Sequence, residues 1–243
     1  MECIFLPNEI KHIHKLHIFA PKLKKKVMEK KMKDVKFLPW EGANYQYGIR
    51  VDENGDIVCG TKEEPGKKVL VLGESFYTNK EEDIASDIMT QVMNWYFDPK
   101  IEFEGWMNTY TKFIRAFWGK FVYRDGSEEF WKSFVMYNYV QEPLRGTRFS
   151  PTTEQFEKSK DAFFEVLGAY KPDYVIVWGQ RLYNNLPQEG EQGEDITVDD
   201  SCSETWVYKI ENHNIRLLPI QHPSAGFSWS FWHEIIKAFL NLK

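Results

Sequence analysis

Short unbroken apolar runs alternate along the chain with stretches whose apolar residues recur every three or four positions. The first kind reads as strands buried on both faces, the second as amphipathic helices. "VLVL" at 69–72, "FVMYNYV" at 134–140 and "PDYVIVWG" at 172–179 are of the strand type. "TWVYKI" and "IRLLPIQH" add two more, expected as a hairpin turning at Glu211–Asn214. Within 80–97, Ile84, Ile88, Val92 and Trp95 have helical spacing, and 106–121 is a second, aromatic-rich helical stretch. "SPTTEQFEKSKDAFFEVLGAY" predicts a helix capped by Ser150 or a nearby threonine, with Gly168 near its end. "SFWHEIIKAFLNL" closes the chain as an amphipathic helix. The segment 37–66 is turn-rich, and "YGIRVDENGDIVCG" fits a small hairpin about Asn54-Gly55. Residues 188–204 read as an acidic, exposed and mobile loop. Strands alternating with helices predict an α/β protein, a three-layer α/β/α sandwich around a mainly parallel sheet.

Composition narrows the class. The 243 residues suffice for one large domain, and an aromatic content of 16% supplies a sizeable core. No run approaches the roughly 20 apolar residues of a membrane helix, and the N-terminal residues lack a secretory layout. The three cysteines are far apart and odd in number. Free thiols in a cytoplasmic protein, without a disulfide framework or metal cluster, are therefore expected. His12, His14 and His17 are spaced for metal ligation, but no carboxylate or cysteine cluster completes a site, so neither metal nor other cofactor is expected. His213 and His233 read as surface positions.

The net charge of −5 is unevenly distributed. Residues 1–40 carry ten lysines against four acids, a net +6, which leaves −11 on the remainder. This divides the chain into a basic N-terminal helical arm, 1–40, and an α/β domain, 41–243. The helix around "KLKKKVMEKKMKDV" is either a solvated face or a nucleic-acid contact.

The ends of the strands carry the candidate chemistry. After "VLVL" come Gly73-Glu74-Ser75-Phe76-Tyr77, the strand at 134–140 holds Asn138, and the last strand runs into His222-Pro223-Ser224. In an open α/β sheet, ligands bind beyond the carboxyl ends of the strands. Taken singly, each residue has an ordinary structural reading: an asparagine satisfying backbone, a turn before a helix, a glutamate neutralised by a lysine or by backbone amides.

In their order along 67–243, "VLVLGESFYT", "FVMYNYVQEPL" and "LLPIQHPSAGF" resemble the motifs of the uracil-DNA glycosylase superfamily. "DYVIVWGQRLYNNL" is similar to the strand–glycine–helix unit before the last motif, and "FLPWEGANYQYG" to the lead-in of a branch whose first motif begins "GES". The resemblance implies that fold and a DNA-repair hydrolase that flips a nucleotide and removes uracil or a modified base. It assigns His222 to the base oxygen as charge stabiliser and Asn138 to the base edge. Glu74 and Ser75 take the water-handling positions, and Tyr77 the wall against the 5-position of the pyrimidine. Gly73, Ser224 and Phe227 fall on the side of the phosphate and the DNA, with Phe227 or Trp229 as a wedge or, equally, part of an apolar seam. Ser224 is expected at the start of the last helix, where backbone amides hold phosphate.

The chain departs from the family pattern at two places. Ser75 stands where the best-known members have the water-orienting aspartate. The ring expected to stack on the base shortly after the first motif is missing, with Phe76, Trp40 or Tyr45 as substitutes. A branch that has glutamate at the position of Glu74 holds an iron–sulfur cluster on four cysteines, which this chain cannot supply. The partner expected is DNA, single- or double-stranded, or a nucleotide, met by a monomer along a positive path from residues 1–40, Arg145 and Arg148. Two other readings stand beside glycosidic-bond hydrolysis: a non-catalytic nucleotide or nucleic-acid binding module, and a small-molecule hydrolase on the same scaffold.

Overall fold

The computed structural model describes residues 32–78, 84–146 and 149–241. Most of the basic arm, with His12, His14, His17 and Cys3, lies outside the described residues, as does Arg148. Four of the five apolar runs become parallel strands at the centre of a seven-stranded sheet: β4 (Val69–Gly73), β6 (Phe134–Asn138), β8 (Tyr174–Trp178) and β13 (His213–Ile220). Antiparallel strands extend it on both sides: β1 (Trp40–Glu41) beside β6, then β12 (Trp206–Ile210) and β9 (Glu191–Gln192) beyond β13. The order is β1-β6-β4-β8-β13-β12-β9. The expected parallel sheet thus holds for its central strands, and the sheet as a whole is mixed.

The parallel strands alternate cleanly between two apolar clusters, because successive side chains leave a strand on opposite faces. Val69, Val71, Phe134, Met136, Ile176, Trp178, Leu218 and Ile220 pack with α1 (Ile88–Phe97), α2 (Met107–Trp118), α3 (Glu128–Trp131) and α7 (Trp229–Leu240). Leu70, Leu72, Val135, Tyr137, Val175, Val177, Ile215 and Leu217 pack with α4 (Thr153–Lys158), α5 (Lys160–Tyr170) and α6 (Gln180–Asn184). Within the first cluster, Trp131 is fully buried, with the rings of Phe113, Phe134 and Tyr110 at 5.5, 5.6 and 5.7 Å. No helix among the described residues is long and apolar enough to cross a membrane.

Several local expectations are revised. The hairpin about Asn54-Gly55 forms from β2 (Ile49–Val51) and β3 (Ile57–Cys59), its turn held by Asp52, whose carboxylate accepts from the Asn54 and Asp56 amides at 2.9 Å. The helix expected over 150–170 is two. Thr152 caps α4 through a reciprocal box with Gln155, and the break falls at Ser159, whose hydroxyl accepts from the Gln141 amide and donates to the Gln155 carbonyl. The segment 188–204 is exposed over most of its length, as expected, but it contains three short strands. Its start adds β9 to the sheet, and β10 (Ile196–Val198) pairs with β11 (Ser201–Ser203), anchored by Ile196, which is 3% exposed against α7. His213 and His233 are half-buried, bonded to the carbonyls of Pro172 and Ala116. Cys59 and Cys202 are free thiols. Residues 33–37 are tied to the body: the Lys33 and Asp34 amides donate to Glu165, and those of Lys36 and Phe37 to Gln141.

Truncating Trp131 to alanine is expected to cost about 3–5 kcal/mol of stability by opening a cavity between sheet and helices. Removing the Thr152 cap (Thr152→Ala) costs about 1 kcal/mol. Urea denaturation of both variants beside the wild type measures the difference.

Candidate functional site

Pairing brings the ends of the parallel strands to one level. Gly73 stands opposite Asn138 across β4 and β6, Leu72 opposite Val177 across β4 and β8, and Trp178 opposite Ile220 across β8 and β13. From β4 the chain passes to β6 on one side and then returns to β8 on the other, so the gap between β4 and β8 is the topological switch point, where a crevice opens. A cavity of about 440 Å³ lies at this edge, within the range of small-molecule sites.

Seven of the residues singled out in the sequence line it: Gly73, Glu74, Ser75, Tyr77, Asn138, His222 and Ser224. Gly73 is required there by space. A Cβ on it would stand 2.2 Å from the Asn138 Oδ1, so only glycine lets the carboxamide lie across the end of β4. Asn138 is 3% exposed and Ser75 5%. The Asn138 amide nitrogen and the Ser75 hydroxyl have no hydrogen-bond partner among the described residues, and neither do the Tyr110 hydroxyl and Trp178 indole nitrogen in the same wall. Buried polar atoms left in this state cost stability, and a ligand or water that meets them recovers it.

His222 is held by the turn that follows β13. Its Nδ1 accepts from the Ser224 amide at 3.3 Å and lies 2.8 Å from the Ser224 hydroxyl. With Nδ1 an acceptor, the neutral imidazole carries its proton on Nε2, which is then the ring's donor. The ring packs edge-on to Trp178 at 6.1 Å. Burial, and secondarily the Arg181 guanidinium, lower the His222 pKa to about 4. Ser224 is thus engaged with His222 in a turn closed by the Ala225 amide on the His222 carbonyl, and α7 begins only at Trp229. The expectation of Ser224 at a helix start is corrected accordingly: both its hydroxyl and its amide contact the imidazole Nδ1.

Glu74 is neutralised, by an arginine rather than a lysine. Arg181, from α6, donates Nε to Oε2 at 2.8 Å and Nη2 to Oε1 at 2.5 Å, a fork across the crevice, while Nη1 donates to the Ser150 hydroxyl. The sequence reading missed Arg181. Its only signal was position, three residues beyond the end of a buried strand in "VWGQRL".

The remaining nominated rings stand elsewhere. Phe76 is 2% exposed and packs edge-on against Phe37 in the core. Trp40 lies on the edge strand β1 against Phe97. Tyr45 belongs to the cluster on the other face, donating to the Tyr170 carbonyl with Lys68, before β4, over its ring. Phe227 is half-buried, stacked parallel to Trp232 at 6.2 Å, behind the wall rather than in it. The rings in the wall besides Tyr77 are Tyr110, Trp178 and Trp232. Helical or strand periodicity marks all three as core, so their local sequence does not distinguish them. Among the described residues no three histidine, cysteine or acidic side chains converge as metal ligands. No protein-family model matches the chain, and no curated protein matches it.

Two outcomes follow from this geometry. Gly73→Ala is expected to drive the Asn138 carboxamide from its place while the sheet survives, since the atom displaced is the tip of a side chain. A crystal structure of the variant checks this. Because the folded His222 pKa lies below its unfolded value of about 6.5, the unfolded state binds the extra proton between that value and about 4. Stability is therefore undiminished above the unfolded value and falls as pH drops through this window. His222→Gln should flatten that part of the acid dependence, and NMR should find the wild-type imidazole neutral at pH 6.

Proposed function

We propose that the chain is a uracil-DNA glycosylase-like α/β/α sandwich that hydrolyses base–sugar N-glycosidic bonds, removing uracil or a modified base from DNA. The observation that carries this reading is the meeting of the buried Asn138 carboxamide, its nitrogen without a partner among the described residues, with the His222 imidazole in one aromatic-walled cavity at the switch point. Breaking the glycosidic bond leaves positive charge on the sugar and negative charge on the departing base. A preorganised donor beside the base stabilises that anion without reorganising, as an oxyanion hole does. His222 Nε2–H supplies the donor, and Asn138 offers an acceptor and two donors to the base edge. Tyr110 and Trp178 provide the faces against which an extruded base packs, in place of the ring absent after the first motif. The Glu74 carboxylate stands on the side of the sugar, where it opposes the developing cation and holds the water whose oxygen bonds to the anomeric carbon as the carbon–nitrogen bond breaks, the water's proton passing to the departing base anion. Ser75 shares the water.

One observation favours a second reading, a binding module that grips a base without cleaving it: both oxygens of Glu74 are engaged by Arg181.

A labelled oligonucleotide bearing one uracil, single- and double-stranded, followed by a panel of modified bases, separates the two. Alkali-labile abasic sites from the wild type, reduced about 100-fold or more in His222→Ala and in Asn138→Ala, are the expected result. Binding without abasic sites across the panel would establish the module instead.

A further inference from the structure

Among the described residues lining the cavity, Glu74 carries the only carboxylate and Arg181 the only fixed positive charge. They come from opposite sides of the switch point, Glu74 from the end of β4 and Arg181 from the first turn after β8. The Glu74 side chain is 10% exposed and that of Arg181 45%. A carboxylate so far removed from water needs a partner, whereas the half-exposed arginine gains little from the pair in screened solvent. Beyond this counter-charge, the fork imposes a geometry. Two parallel N–H bonds fix the plane of a carboxylate as well as its distance, which a single ammonium does not. The third guanidinium nitrogen is held by Ser150, so the fork itself is anchored at its far edge. The same guanidinium lies close enough to His222 to act on it electrostatically.

We propose that Arg181 is a positioning residue of this cavity: through its fork on Glu74 it fixes where the carboxylate stands relative to His222, without touching the bond that breaks. The role of the carboxylate rests on the glycosidic-bond reading, whereas the role of Arg181 rests on the ion-pair geometry. A dissociative cleavage develops two opposite charges a fixed distance apart, on sugar and base. Glu74 and His222 serve them only if their separation is equally fixed. Arg181 supplies that constraint across the one place where the sheet topology leaves a gap.

The test compares Arg181→Lys, Arg181→Gln, Glu74→Gln and the double variant R181Q/E74Q, by steady-state base release and by crystal structure. Both arginine variants are expected to lower kcat about 10- to 100-fold with KM changed less than about threefold, lysine failing to rescue because it lacks the fork. Arg181→Gln should add little in the Glu74→Gln background, as expected for residues that act as a unit. Wild-type kcat in Arg181→Gln, rescue by lysine, or effects that multiply in the double variant would overturn the proposal. If the wild type releases no base, the glycosidic reading fails by itself and the crystal structures decide. A Glu74 carboxylate displaced in both arginine variants sustains the positioning role, and one unmoved removes it.

Discussion

The parallel pairing of β4 with β6, in the register that sets Gly73 beside Asn138, is the constraint on which the cavity depends. A one-residue slip would turn the Asn138 side chain to the opposite face of the sheet, among the apolar residues around α4 and α5. It would also take the only side chain small enough from beneath the carboxamide. The register is held by burial on both faces. Every residue of β4 and β6 is buried, and each face interlocks with its own set of helices. The polar site is thus secured by the least polar part of the molecule.

Electrostatics at the strand ends follow from the same burial. A histidine drawn into an apolar corner favours its neutral form, and the turn that engages Nδ1 leaves Nε2 as the donor. A carboxylate in the same corner requires a counter-charge, and the switch point supplies it. The chains leaving β4 and β8 diverge there to opposite faces of the sheet, so side chains from both can meet over the gap. His222 neutral and Glu74 paired are two answers to one problem, the cost of charge away from water. The Asn138, Ser75, Tyr110 and Trp178 polar atoms, without partners among the described residues, are what that solution leaves open.

The aromatic richness of the chain serves packing and site together. Trp178 packs edge-to-face with Tyr110 and Phe113 in the core while its indole contributes to the cavity wall and meets His222. Tyr110, from the middle of the apolar face of α2, does the same from the helix side. The cavity is not an addition to the core but its continuation past the last sheet register.

What the sequence determined by itself was whatever is encoded over a few consecutive residues. The apolar runs of the parallel strands, the Asn54-Gly55 hairpin and a cap at Ser150 or a threonine just after it were legible because strand burial, turn chemistry and capping are local properties. The residues of polar character at strand ends, Glu74, Ser75, Asn138 and His222, stood out for the same reason: they interrupt an apolar pattern where it should simply stop. Tertiary structure alone decided which of them have partners. The fork between Glu74 and Arg181 joins residues 107 positions apart, and no local pattern records such a pairing. Nor could the sequence say which rings face the cavity, since Phe76 and Tyr77 are neighbours of similar size, yet one is core and the other wall. That choice is made by the alternation of side chains about a backbone whose direction only the assembled sheet fixes.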